Sequence, residues 1–210
     1  MLSDSLERLL AVAGPPLGAT TSPPSRAPEA LSPLLAARDG FLASFSALHV
    51  FPVEAPDDHP DLGSVHATLT SAYGPLLGEH RAFAQDLFGV LFTVHPDGVC
   101  TFDPETAEHE VIADGLDGWA EAVLAEPEAL LGAAFAFDWQ ERHGALRAGE
   151  RLVPLMPFAL GGEYDDANLE PRGTLLALRE RGVLARTLAG LPDGAEVEWP
   201  LPGTREETVA

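Results

Sequence analysis

The apolar residues change period several times along the chain, and each change marks an element. In residues 3–12, Leu6, Leu9 and Leu10 form one stripe at helical spacing and Ser3 stands where an N-cap belongs, which predicts a short amphipathic helix. Pro15, Pro16, Pro23, Pro24, Pro28 and Pro33 then exclude regular structure over most of residues 14–33. Residues 34–48, with Leu34, Leu35, Phe41, Leu42, Phe45 and Leu48 apolar, read as a helix that opens the main domain. A loop rich in Pro and acids follows over 52–63, and a second helix over 64–77 ends near Gly74 and Pro75.

Beyond Ala82 the period shortens to two. Residues 82–87, 90–94, 99–102 and 108–113 read as strands, with Phe92 and Val94 alternating as a half-buried strand requires. His95-Pro96-Asp97-Gly98 and Asp103-Pro104-Glu105-Thr106 supply tight turns between them, so the strands form an antiparallel meander. Residues 116–143 return to helical spacing, interrupted at Pro127. Residues 151–158 are extended, and Gly161-Gly162 permits a sharp bend. A helix over 174–190, kinked at Gly182, leads through Pro192-Asp193-Gly194 to a last strand at 195–199. The expected class is α+β: an antiparallel sheet flanked by helices. The expected organisation is an N-terminal arm (1–33), one α+β domain (34–203) and a flexible tail (204–210).

Charge changes the picture most. The 210 residues carry 33 acids against 12 basic residues, a formal net charge of −21, and every basic residue is Arg. Residues 48–138 alone hold 17 acids and one Arg. Without Lys the chain has neither a P-loop lysine nor a Schiff-base lysine. Such a charge disfavours nucleic acid and anionic lipid and favours a basic protein partner. No stretch reaches the roughly 20 apolar residues of a membrane helix. The N-terminus carries Asp4, Glu7 and Arg8 among its leucines rather than a secretory pattern, and the single Cys100 has no internal partner, so a cytoplasmic location is expected.

Candidate chemistry is sparse. Gly-x-Ser-x-Gly, Gly-x-Gly-x-x-Gly and His-Glu-x-x-His are all absent from the sequence. His49, Asp57, Asp58, His59, Asp61 and His66 cluster in sequence and could in principle bind zinc or manganese, but their spacing fits no known frame. The adjacent pairs Asp57/Asp58 and Asp165/Asp166 read as solvated loop acids, since adjacency alone shifts no pKa. Cys100, in a strand, reads as packed and inert. Neither an enzyme nor a cofactor is expected.

One order of segments is more specific. Phe83-Ala-Gln-Asp-Leu-Phe-Gly89 is followed by an apolar strand, Pro96-Asp97-Gly98, Phe102-Asp-Pro-Glu-Thr106, Ile112-Ala-Asp114 and Trp119. Pro157-Phe-Ala-Leu-Gly-Gly-Glu-Tyr164, Asn168-Leu169 and Leu191-Pro-Asp-Gly194 come later. This order resembles the SUKH superfamily, bacterial immunity proteins and fungal cell-wall-synthesis regulators, over roughly residues 65–200. The resemblance implies an α+β fold, a binding role and no catalytic group. Its bacterial members neutralise polymorphic toxins, many of them nucleases, which are commonly basic because they grip phosphate. The expected function is therefore a non-enzymatic protein-binding module, an immunity protein for a basic toxin domain. Alternatives are a regulatory adaptor of the same fold and a metal-dependent hydrolase using the His49–His66 cluster. The candidate protein-binding residues are Asp57, Asp58, Asp61, Glu163, Tyr164, Asp165 and Asp166.

Overall fold

The computed structural model describes residues 2–18, 28–56, 59–192 and 194–201. The fold is α+β. Helix α1 (Asp4–Val12) and α2 (Ser32–Ala37) precede the hairpin β1 (Phe41–Ala43) and β2 (Leu48–Val50). Helix α3 (Leu62–Tyr73) leads into β3 (Arg81–Gln85), β4 (Leu91–His95), β5 (Gly98–Phe102) and β6 (His109–Ala113). These six strands lie side by side in sequence order, each antiparallel to the next. Three consecutive helices follow, α4 (Leu116–Ala125), α5 (Pro127–Leu131) and α6 (Ala133–His143). A separate two-stranded sheet pairs β7 (Glu150–Pro154) with β8 (Leu169–Gly173), and α7 (Thr174–Ala189) follows at once.

The strand period sorts residues onto two faces, each with its own core. One core joins Phe83, Phe92 and Val99 of the sheet to Trp119, Val123, Leu131 and Trp139 of the helices that follow it. Trp119 is fully buried, with Phe83 and Phe92 edge-on to its ring at 4.9 and 5.8 Å. The other core joins Ala82, Leu91 and Phe102 to Val65, Leu69 and Tyr73 of α3 and to Leu178 and Ala185 of α7. Burying two sheet faces against helices removes both from water, at about 25 cal/mol per Å² of apolar surface.

The N-terminal helix forms where the leucine stripe placed it, with the Ser3 hydroxyl accepting from the Leu6 N–H. It does not hang free. Leu6 and Leu9 are buried in the first core, and the Arg38 guanidinium donates to the carbonyls of Leu10, Ala13 and Gly14 at 2.8–3.0 Å. Those are the acceptors a helix leaves unsatisfied at its C-terminal end.

Four expectations are corrected. Residues 34–48 are not one helix: α2 stops at Ala37, and the chain reverses through Ser44, Phe45 and Ser46, all at positive φ, between β1 and β2. The apolar spacing there fits either period. Residues 195–199 form no strand; Trp199 instead donates its indole N–H to the Leu155 carbonyl at 2.8 Å. Strand β8 escaped the sequence reading because Pro171 and Gly173 are poor strand residues. Helix α7 runs unbroken through Gly182, whose role is contact: a Cβ there would stand 2.7 Å from Ala72 Cβ and 2.9 Å from the Ala72 carbonyl oxygen.

Helix propensity favours Ala over Gly by about 1 kcal/mol, so Gly182→Ala on an isolated helix would stabilise. Here it should destabilise, by about 1–3 kcal/mol, because α3 must move off α7. Urea denaturation of the variant measures the sign directly.

Candidate functional site

The turn leaving β3 carries the densest buried chemistry. Asp86 is buried, and its Oδ1 accepts from the N–H groups of Phe88 and Val90 at 2.9 and 2.7 Å. Arg181, from α7, donates to the Phe88 carbonyl at 2.7 Å. Gly89 holds φ +80, and a Cβ on it would stand 2.8 Å from the Arg181 guanidinium, so only Gly fits. Glu105 accepts from the Ala159 N–H at 2.9 Å and lies 4.0 Å from Arg181 Nε. Arg151, fully buried on β7, donates to the Glu150 carbonyl. Behind it, Gln85 contacts His49 Nδ1 at 3.2 Å and donates to the Thr174 hydroxyl at 2.8 Å.

Burial sets the electrostatics. It pushes Asp86 up to about 7 against the pull of its two N–H donors and of Arg181 and Arg151. It raises Glu105 against Arg181, lowers Arg151 to about 9 despite Asp86, and holds His49 well below its ordinary value, with Arg151 adding to the effect. Several buried polar atoms here make no hydrogen bond: His49 Nε2, Arg151 Nε and Nη2, and Arg181 Nε, the last answered by the Glu105 charge. A cavity of about 20 Å³ lies beside Glu105 and Arg181, room for about one water. The constellation ties the turn after β3 to β7 and α7.

Above it sits an aromatic cover. Tyr164 stacks on Phe158 with ring centroids 3.7 Å apart, and Phe88 meets both rings edge-on. Tyr164 is 63% exposed and Met156 is 42% exposed.

Three histidines gather beside Phe102, in contact with the core that α3 and α7 cover. His80 is buried; its ring stacks on His95 and lies against His109, both at 4.5 Å between centroids. Its Nδ1 shares a 2.8 Å hydrogen bond with the Thr93 hydroxyl. Burial, then His109 and His95, lower its pKa to about 4.

The residues singled out from the sequence come from two segments of the chain. Asp57 and Asp58 lie outside the described residues. Asp61 is the N-cap of α3, accepting from the Ser64 N–H at 2.7 Å while Ser64 Oγ accepts from the Asp61 N–H. Asp165 caps a short 3-10 turn by accepting from the Asn168 N–H at 2.8 Å. Asp166 pairs with Arg142 at 2.9 Å and His143 at 3.0 Å. Glu163, Tyr164 and Asp165 are consecutive and exposed, beside the aromatic cover. His49 is packed on Phe51 in the interior, and no group of three or more His, Cys, Asp or Glu among the described residues is arranged to hold a metal ion. Cys100 is buried.

The exposed charge lies elsewhere. Between Arg81 and Arg142 the sequence has no Lys or Arg. Over that stretch Asp97, Glu108, Glu110, Asp114, Asp117, Glu121, Glu126, Glu128, Asp138 and Glu141 are exposed. They run from the β4–β5 turn, through the edge strand β6 and its flanks, onto α4, α5 and α6, elements in successive contact. No helix among the described residues is long and apolar enough to cross a membrane.

No family model matches the sequence, and no curated protein matches it. Among solved structures, the fold is similar to the crystal structure of Atu4351 from Agrobacterium tumefaciens, with a TM-score of 0.59 and 15% identity over 87% of this chain and 88% of that one. The likeness is one of fold.

The histidine cluster makes stability depend on pH. The fold holds His80 neutral to about 4, whereas the unfolded chain binds that proton below its ordinary value of 6.5. The contribution of neutral His80 to stability is fully present above 6.5 and is lost as pH falls toward 4, by about 2–3 kcal/mol. Denaturant titrations of the chain and of His80→Asn should diverge by that amount across the window, because the raised Asp86 contributes with the opposite sign in both.

Proposed function

We propose that this chain is a non-enzymatic module that binds a basic protein through the acidic surface of β6 and α4–α6. The observation that carries the reading is the run of ten exposed acids, Asp97 to Glu141, with no fixed cation in the intervening sequence. Scattered surface acids serve solubility, and a typical surface intersperses both signs. A one-signed field over contacting elements instead steers oppositely charged partners and suppresses wrong ones.

Within that reading the preferred role is immunity toward a toxin. The order of segments from Phe83 to Gly194 resembles the SUKH superfamily, and the segments concerned act here as fold determinants: Asp86 and Gly89 shape a turn, and Trp119 fills a core. A nuclease toxin, basic because it grips phosphate, suits an acidic neutraliser. The proposed site of action is the cytoplasm.

The test is capture from the native cell at low salt, followed by growth rescue on co-expression with the captured protein. One basic protein should be retained and then released by high salt. Reversing Glu110 and Glu121, whose side chains are exposed, together to Arg should slow association about tenfold and leave the thermal midpoint nearly unchanged. Unchanged association would remove this surface from the proposal, and failure to restore growth would remove the immunity role.

A further inference from the structure

The same helical layer contains an apolar hollow of about 380 Å³, lined by Val12, Ser44, Phe45, Val123, Leu124 and Pro127. Phe45 and Val12 are each 59% exposed. Phe137, 45% exposed, meets the Phe45 ring edge-on at 5.1 Å. Single exposed apolar residues are ordinary; two aromatics in contact beside an apolar hollow are not.

The backbone under Phe45 gives an independent observation. Ser44, Phe45 and Ser46 hold φ of 52, 58 and 65° in succession, and none is Gly or Asn. L-residues avoid that region because Cβ meets backbone, and bulky residues avoid it most. Two bonds hold the turn: the Ala47 N–H donates to the Ser44 carbonyl at 3.0 Å, and Gln140 of α6 donates its amide to the Phe45 carbonyl at 2.7 Å. Gly or Asn at position 45 would relieve the strain, yet an exposed phenyl ring is kept. Strain of this kind, maintained by surrounding bonds, concentrates at binding sites.

The charge around the hollow names the occupant. Glu121 lies one helical turn before Leu124, Glu126 directly precedes Pro127, and Glu141 lies one turn after Phe137. Arg8, one turn before Val12, is the cation that helix spacing places near the rim. Three carboxylates thus flank the α4–α6 side, and two guanidinium groups stand on the α1 side, that of Arg8 and that of Arg38, which holds the carbonyls of Leu10, Ala13 and Gly14. We propose that the hollow receives a cationic amphipathic helix of the partner protein, its apolar side chains against Phe45, Phe137 and Val12 and its Arg or Lys along the α4–α6 side. Amphipathic helices laid into apolar grooves are an established mode of recognition. This proposal rests on the reading of the chain as a binder of basic proteins and gives that partner a shape.

The probe is a fluorescein-labelled synthetic helix of about four turns, Leu on one face and Arg on the other, titrated with the full chain at ~0.15 M salt and read by anisotropy. The control peptide has equal charge, with Gly and Ser replacing Leu. The variants are Phe45→Asn and Phe45→Asn/Phe137→Ser. The chain should bind the amphipathic peptide, and the double variant should bind it about tenfold more weakly. The control should bind no better to the chain than to the variants. Because Asn tolerates positive φ, Phe45→Asn should keep or raise the thermal midpoint while it loses binding, which a purely structural Phe45 would not do. Equal binding of both peptides, or affinity untouched by the variants, would overturn the hollow as a site and leave the acidic-surface reading standing. Binding of neither peptide would overturn it as well. A dimer of the chain in sedimentation, dispersed by Phe45→Asn, would assign the hollow to a second copy instead.

Discussion

The structure depends on one buried turn. The Asp86 carboxylate gathers the N–H groups of Phe88 and Val90, and Arg181 takes the Phe88 carbonyl from the other side. The backbone thus fixed is itself a junction: the Leu87 carbonyl accepts from Leu152 of β7, and the Leu87 N–H donates to Leu131 at the end of α5. Sheet, helical layer, second sheet and α7 all meet at these five residues. Ionisable groups taken out of water are costly, and here Asp86 is held by backbone N–H groups and Arg181 by a backbone carbonyl and the nearby Glu105. The arrangement is therefore a poor source of net stability and a strong specifier of a single packing.

That constraint explains how the two sheets relate. The six-stranded sheet needs a helical cover on each face, and it obtains one from helices contributed by distant parts of the chain. Helix α7 can reach α3 only if its backbone closes on Ala72, which Gly182 allows, and its Arg181 then points at the Phe88 carbonyl. Neighbouring residues of one helix thus do two jobs, one of close approach and one of charge.

Legibility in the sequence follows the physics of each element. Strands β3 to β6 were readable because alternation and Pro-Asp-Gly chemistry agreed. The hairpin of β1 and β2 was not, because its turn uses Ser44, Phe45 and Ser46 at positive φ and carries no Gly or Asn to announce it. The candidate binding acids show the same limit. Asp61 and Asp165 also act as caps, each preceding by three residues the N–H it accepts from, a spacing present in the sequence. Asp166 could not be assigned, since its partners Arg142 and His143 lie over twenty residues away. Glu105, Arg151 and Arg181 were missed altogether; an Arg flanked by apolar residues, as Arg181 is by Leu178 and Leu184, was the available signal.

The charge of β6 has one more consequence. Among the described residues no strand pairs with the outer edge of this last strand, and Val111 on it is 47% exposed. An open edge is a template onto which other chains can add strand by strand, and like charges along it are a common defence. Glu108, Glu110 and Asp114 supply that defence. A ligand that neutralised them without covering the backbone would leave a sticky edge, so whatever binds there must shield the strand as well as match its charge, or the assembly would polymerise.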